Sequence, residues 1–591
     1  MGLLQKAVET YDSHRAYAAQ NREGQTMMAP VGHIITRAEL EITLDSDGTF
    51  VDAVAVDKTE PKIIIPATES SAGRTSAPCA HPLCEQIGYL IPANEKKYQL
   101  YITQLTAWAN SPYTHAKLAP ILHYVNGQTI LSDLVRCGLV KLDGKGMPDN
   151  EKRLIRWRIL GEEQEACWLD QSLFDAFTDY YLSSQTGADA LCMVTGDLGI
   201  AAAQHPKGIV SLNGNAKLIS ANDSSGFTYR GRFTEESQAL TVGYEASQKA
   251  HNALRWLVEN QGVRAIFGNR TFLCWNPQGR SITPPHLPFM RPPKPIFRPS
   301  EFHDALRTVL ASKKAELKLS DGVVLAAFDA ATTGRLSLTY YNELQGHDFL
   351  QRLHDWDVSC SWPHRNFGIQ SPSLFQIINC AFGTQRGDRL ETDDRVLRQQ
   401  MQRLIACRVE KAVIGTDIVK SLTQRASRPQ AYDQYVWEDI LFTACAVIRK
   451  YRTDRFKEEW KMALEPERKD RSYQYGRLLA VMEKVERDTY GSSESREPNA
   501  IRLQSVFCQR PMQTAANLEK QLERAYFPRL SPGSRIWYKN MMGQIMEMIS
   551  ACSDDDWNKP LDGTYLIGYY LQRAALYTKK TDNEMEETEN G

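Results

Sequence analysis

The chain has 591 residues, is 42% hydrophobic and 24% charged, and carries a formal net charge of −1. That length allows about three or four domains of ~150 residues, and the composition is that of a soluble globular protein whose core needs no staples. No run of ~20 apolar residues offers a membrane span. Met1–Tyr11 contains Lys6 and Glu9 and no apolar stretch, so it does not read as a signal peptide. The expectation is a cytoplasmic protein whose twelve cysteines are reduced thiols.

Leu3, Leu4, Ala7, Val8 and Tyr11 recur at helical spacing and predict a short first helix. Leu40, Ile42 and Leu44 alternate with polar residues, Asp45–Gly48 turns, and Phe50–Val56 returns, which predicts a hairpin. Ile63–Pro66 predicts another strand. Ala67–Pro82, rich in Ser, Thr, Gly and Pro, predicts a loop. Residues 98–140 read as helical with Tyr101, Leu105 and Trp108 on one face, 151–160 as strand, and 168–186 as helix. Cys192–Phe233 is rich in Gly, Asn and Ser and predicts irregular or β structure with long loops. A helix is expected over 244–261 and a strand over Phe272–Trp275.

Residues 277–299 hold eight prolines, which remove backbone donors and predict an extended connector. Val323–Phe328 and Arg335–Tyr340 predict a second hairpin. From about 371 onward the pattern is helical: Met401, Leu404 and Ile405 share a face, as do Tyr475, Leu478, Leu479, Met482 and Val485, and Tyr538, Met541, Met542, Ile545 and Ile549. The fold class is therefore α+β: a mixed N-terminal region with antiparallel hairpins and long loops, followed by a C-terminal all-α helical bundle. The expected domains are 1–276, a connector with a second β-containing region over 277–390, and a bundle over 391–591. Charge is uneven along the chain. Arg395–Cys552 carries 28 Lys+Arg against 19 Asp+Glu, a surplus of +9, and Ser553–Gly591 carries 4 against 9, a deficit of −5. A basic block before an acidic tail fits a phosphate-bearing partner and equally a solvated helical surface.

Catalytic signatures are missing from the sequence: it has no phosphate loop, no nucleophile elbow and no zinc-protease helix motif. His347-Asp348 stands without the companions of a metal phosphohydrolase. Cys79, His81 and Cys84 offer three metal-type ligands, but no second paired knuckle completes a structural zinc site, so they read as two half-buried thiols beside a surface histidine, and no metal is expected. No cofactor is expected. Two loops suit nucleic acid: Ser70–Ser76, with Ser71, Gly73, Arg74, Thr75 and Ser76, and the stretch with Asn213, Asn215, Lys217, Asn222, Arg230 and Arg232. Glycine lets backbone approach a groove, and arginine adds charge or a base contact; ordinary surface loops would look the same.

A series of motifs carries a family resemblance. Val194-Thr-Gly-Asp-Leu198, Gln204-His-Pro206, Leu218-Ile-Ser220 with Asn222, Tyr244 leading to Ala253-Leu254, and Phe272-Leu-Cys-Trp275 resemble, in order, the middle of the large subunit of the type I-C CRISPR Cascade. Tyr473–Glu483 is similar to that family's C-terminal helix signature, and Ile567–Arg573 to its closing motif. The resemblance spans essentially the whole chain. It implies a non-catalytic subunit of a crRNA-guided complex, with crRNA, target double-stranded DNA, the other Cascade backbone subunits and a helicase-nuclease as partners and no membrane. Such a subunit reads the protospacer-adjacent motif (PAM), helps to open the duplex and docks the nuclease, while the guide RNA reads sequence.

By position, Ser70–Pro78 corresponds to the PAM-reading element. The family's version is richer in Lys and Asn and runs into an aromatic; here Cys79 and His81 stand nearby. The resemblance also implies an internal start that supplies the small subunit. Met462 is the candidate, giving a product of 591 − 462 + 1 = 130 residues. Readings from other classes are a metal-dependent nuclease with a helical accessory domain, which would cut DNA unaided with Mg²⁺ or Mn²⁺, and a helical scaffold without a nucleic-acid role, which salt-sensitive DNA binding would exclude.

Overall fold

A computed structural model describes the chain except residues 1, 18–26, 61, 75–76, 188, 211–213, 221–224, 228, 261–263, 331, 492–493, 495, 553–557 and 590–591, and for 578–589 it describes the helix without its side chains. The chain forms two compact units, one from Met1–Ile282 with Asp321–Glu343, the other from Thr283–Ser320 with Leu344–Gly591.

In the first unit, helix α1 (Leu3–Ser13) buries Leu3, Ala7, Thr10 and Tyr11. Strands β1 (His33–Thr36), β2 (Leu40–Leu44), β3 (Phe50–Ala55) and β4 (Ile63–Pro66) follow. The expected hairpin β2–β3 forms, Leu40 opposite Ala55, with a bulge at Thr43/Leu44. β1 pairs antiparallel with β4. The stretch expected to be loop from 67 holds a short helix, α2 (Glu69–Gly73). Its Thr68 cap outweighs the loop-like composition: Thr68 Oγ1 accepts from Ser71 N–H, and Ser71 Oγ accepts from Thr68 N–H.

The helical stretch 98–140 resolves into α3 (Glu95–Ala109), α4 (Leu118–Asn126) and α5 (Ile130–Arg136). Strand β5 (Ile155–Ile159) lies parallel to β2, making the order β3-β2-β5. Leu40, Ile42, Leu44, Tyr101, Leu105, Trp108, Trp157 and Phe177 share the core beneath it. Helix α6 (Gln171–Ser184) starts at Asp170, whose carboxylate accepts from the N–H groups of Ser172 and Leu173. Helix α7 (Tyr244–Glu259) packs on α1 over a second core that includes Leu254, Leu257 and Trp275. Strands β6 (Arg264–Phe267), β7 (Arg270–Trp275), β8 (Gly322–Asp329) and β9 (Ser337–Gln345) make a four-stranded sheet in chain order. The chain thus leaves the unit after β7 and returns to it at β8.

The second unit holds α8 (Pro299–Glu316), α9 (Gly346–Ser359), α10 (Leu374–Phe382), α11 (Asp394–Glu410), α12 (Thr416–Ala426), α13 (Gln434–Phe456), α14 (Arg471–Arg487), α15 (Pro532–Ala551) and α16 (Thr564–Glu589), with shorter helices between α14 and α15. From α11 onward the described elements are helical, which gives the α+β class with a C-terminal all-α bundle. The proline-rich segment is irregular, with several turns, and is tied down. Arg408 donates to the carbonyls of Pro285 and Leu287 and to Asp357, and Asp357 accepts from Phe289 N–H. No described helix is long and apolar enough to cross a membrane.

Candidate nucleic-acid interface

Of the predicted loop residues, Ser71, Gly73, Arg74, Asn215, Lys217, Arg230 and Arg232 lie in the described structure, while Thr75, Ser76, Asn213 and Asn222 lie outside the described residues. Ser71 faces inward at 1% exposure, and its hydroxyl meets His81 Nδ1 at 2.9 Å. Burial, and then the charge of Arg74, push His81 down to about 3, so the ring is neutral. Arg74 closes the same loop. Its two terminal nitrogens donate to the two oxygens of Glu85 at 2.5 and 2.9 Å, and one also donates to the Cys79 carbonyl at 2.7 Å. The guanidinium lies 5.0 Å from the centre of the Tyr89 ring. Glu85 is fully buried and accepts two further bonds, from His81 N–H and Gln86 N–H.

The helix that carries the first loop meets the segment leading into the second. Gln204 N–H donates to Glu69 Oε1 at 2.9 Å. A side chain at Gly73 would place its Cβ 2.6 Å from the Gln204 amide oxygen, so glycine here permits close approach to another loop of the same chain. Burial raises the Glu69 carboxyl above its ordinary range, opposed by the N–H groups of Gln204 and Ala203 and by the charge of Lys217. Lys217 itself is held by its backbone: its N–H donates to Gly334 O, and its carbonyl accepts from Leu336 N–H. Arg255 ties the foot of the second loop by donating to the carbonyls of Lys207 and Gly208.

Asn215, Arg230 and Arg232 are exposed. The segment 226–233 is a self-bonded tip: Arg230 N–H donates to Gly226 O, and Phe233 N–H to Tyr229 O. Gly226 sits at φ +73° with its would-be Cβ 2.8 Å from Arg230 Nε, so the turn requires glycine. Phe227 projects from this tip at 88% exposure, and Arg232 lies 5.8 Å from the Phe233 ring centre. Exposed aromatics interleaved with arginines can stack on bases and meet phosphates together. Sequence reasoning missed Phe227, Glu69, Gln204 and Arg255. An aromatic beside a glycine and two arginines was a signal for the first; the others act through partners far along the chain.

Cys84 is buried in the core of the first unit, and Cys79 is half-buried. Among the described residues, no group of three or more His, Cys, Asp or Glu could hold a metal ion. Met462 is buried in the irregular connection between α13 and α14, outside any helix. Part of the basic surplus after residue 395 is internal. Arg449 donates to the carbonyls of Val358, Ser359, Ser361 and Trp460, and Arg425 to those of Cys380 and Gly383. Burial pushes Arg449 down to about 10.

No curated protein matches the chain. The family model for CRISPR-associated protein (Cas_Csd1) matches residues 14–577, nearly the whole sequence and both units. The chain therefore belongs to the CRISPR-associated Cas_Csd1 family, that of the type I-C Cascade large subunit its motifs resemble.

Proposed function

We propose that this protein is the non-catalytic large subunit of a crRNA-guided Cascade complex that recognises the PAM in duplex DNA, promotes R-loop formation and recruits the helicase-nuclease. The observation that carries the reading is that the short helix α2, which holds Ser71 and Gly73 of the first loop, is bonded through Glu69 to Gln204 of the segment leading into the second, and that the second exposes Phe227, Arg230 and Arg232. In this reading Arg74 and Gly73 position the first loop, Thr75 and Ser76 are its candidate groove contacts, and the second loop follows the backbone and offers an aromatic wedge.

The test uses the assembled complex with guide RNA and a set of target duplexes differing only at PAM positions, at one salt concentration. Arg230→Ala and Arg232→Ala should each weaken target binding by about 1–3 kcal/mol if they meet a base, with the loss confined to one PAM position, or weaken it uniformly if they meet phosphate. Binding indifferent to the PAM bases and to both substitutions would sink the proposal.

We further infer that translation from Met462 yields the small subunit. The product would contain α14, α15 and α16, of which α14 packs extensively on each of the other two. It would lose the cover that α12 and α13 give α16, where Trp437 meets Tyr569 edge-on and Ser427 bonds the Tyr565 hydroxyl. A peptide beginning at or just after Met462, seen by mass spectrometry of the purified complex, is the expected outcome; its absence removes the idea.

A further inference from the structure

The helical unit holds a cavity of about 520 Å³ between α12, the end of α13, the short helix Gln504–Gln509 and the start of α16. α12 gives this groove a floor and a rim. Val419 and Thr423 line the floor with Ile448, Cys508 and Leu561. Thr416, Lys420, Gln424 and Arg428 stand along the rim at successive turns, all exposed. Lys420 and Arg428 are about 12 Å apart along the helix axis. Among the described residues, none of these four rim side chains has a hydrogen bond or an ion pair. Arg510 and Lys559, close in sequence to the lining residues Gln509 and Leu561, are likewise exposed and unpaired. Arg452 on the far wall is matched already: Glu458 lies 2.9 Å from it, Asp562 3.4 Å and Asp470 3.8 Å. Asp417, beside Thr416, is taken by Arg403 at 2.7 Å. Lys420, Arg428, Arg510, Lys559 and Arg452 thus face three carboxylates, a surplus of +2. The only ring among the described lining residues, Tyr451, is half-buried and edge-on to Phe456, which suits a protein segment better than a base.

We propose that this groove takes the acidic C-terminal segment of a second copy of the chain. After Lys580 the sequence holds Asp582, Glu584, Glu586, Glu587 and Glu589, no further cation, and a single apolar residue, Met585. α16 continues through Glu589, so Asp582, Met585 and Glu589 fall on one face at helical spacing. The two acidic positions are about 10 Å apart along the axis, close to the spacing of Lys420 and Arg428. Met585 lies between them and matches the apolar floor. The segment comes from another copy because its own cannot reach. Thr564, the first residue of α16, lines the groove, and Met585 stands 585 − 564 = 21 residues further on, about 30 Å away along the helix. The contact is head-to-tail: one copy lends its tail, the next its groove.

The test measures binding of the full-length chain to a fluorescein-labelled peptide of residues 578–591 and to a scrambled peptide of the same composition. Sedimentation velocity follows association of the chain with itself. Lys420 and Arg428 are exposed, so Lys420→Ala and Arg428→Ala should melt with the parent. Each should weaken binding of the native peptide by about two- to fivefold, the worth of an exposed ion pair. Met585→Ser in the peptide should weaken it as well. The parent should associate over the concentrations that bind the peptide. A chain ending at Tyr577 keeps the groove and lends no tail, so it should bind the peptide and stay monomeric. Equal binding of native and scrambled peptides, variants that bind the native peptide as the parent does, or a parent that stays monomeric where the peptide is saturated would each overturn the proposal. So would binding of dT15 that depends on Lys420 and Arg428 while the peptide stays free, which would give the groove to nucleic acid.

Discussion

The Arg74 guanidinium grips both oxygens of Glu85 and the Cys79 carbonyl, which turns its fork toward the protein. Its side chain is 17% exposed and that of Glu85 is fully buried, so the pair sits where breaking one partner is costly. Arg74→Ala should lower stability by about 3 kcal/mol, the lower end for a broken buried pair because two backbone N–H groups still serve Glu85. Arg74→Lys should recover only part, since an ammonium cannot span both oxygens. Chemical denaturation reads both variants, and target binding should fall equally for every PAM base. An Arg74→Ala variant of parental stability with an altered PAM preference would instead make Arg74 a base reader. The sequence offered a Ser, Gly and Arg loop and no hint of which way the arginine pointed. Its acceptor stands eleven residues later, and a local pattern does not specify such a pairing.

At the level of elements, α14 and α16 show why two motifs of the sequence belong together. A Cβ at Gly476 would lie 1.9 Å from the Tyr565 carbonyl oxygen, and one at Gly568 would lie 2.0 Å from that of Tyr473. The helices cross backbone to backbone, each supplying the glycine at the other's closest point. Gly476→Ala and Gly568→Ala must each push the helices apart and should cost about 3 kcal/mol or more, the upper range for overpacking. Gly543 on α15 has nothing within 4 Å of its would-be Cβ, so Gly543→Ala should be neutral or stabilise by up to about 1 kcal/mol through helix propensity. Urea denaturation of the full chain distinguishes the three; equal behaviour of all would refute the crossing. The periodic face Tyr475, Leu478, Leu479, Met482 and Val485 revealed the helix but only half of its setting. α14 is buried continuously from Ser472 to Glu486, including Arg477 and Glu483. These polar residues are tolerated because Gln572, Tyr569 and Arg573 reach them from α16.

For the whole molecule, local patterning revealed most strands and helices, because turns, caps and alternating faces are local events. The parallel pairing of β2 with β5, more than a hundred residues apart, and the return of β8 to β7 across the inserted segment are not local, and no spacing encodes them. The same long-range burial sets a response to acid. Burial pushes His33 and His205 down to about 4 and His251 to about 3 in the first unit, alongside His81. In the second unit it pushes His286 down to about 4. An unfolded chain takes up these protons near pH 6.5, whereas the folded chain refuses them until about pH 3–4. Their contribution to stability is therefore complete above pH 6.5 and is lost as pH falls toward 4, at up to about 1.4 kcal/mol per pH unit for each histidine. With four of the five in the first unit, hydrogen exchange should show that unit opening at a higher pH than the second. His251 tests the cause. Its ring lies 6.0 Å from that of His205, with the positive charges of Arg255 and Lys217 acting on it, so a proton arriving there is opposed by both burial and charge. His251→Phe fills the same space without a proton to gain. Its stability should fall about 1.4 kcal/mol less per unit than the parent's between pH 6.5 and 4, and an unchanged slope would show that His251 is not among the groups that set the acid limit.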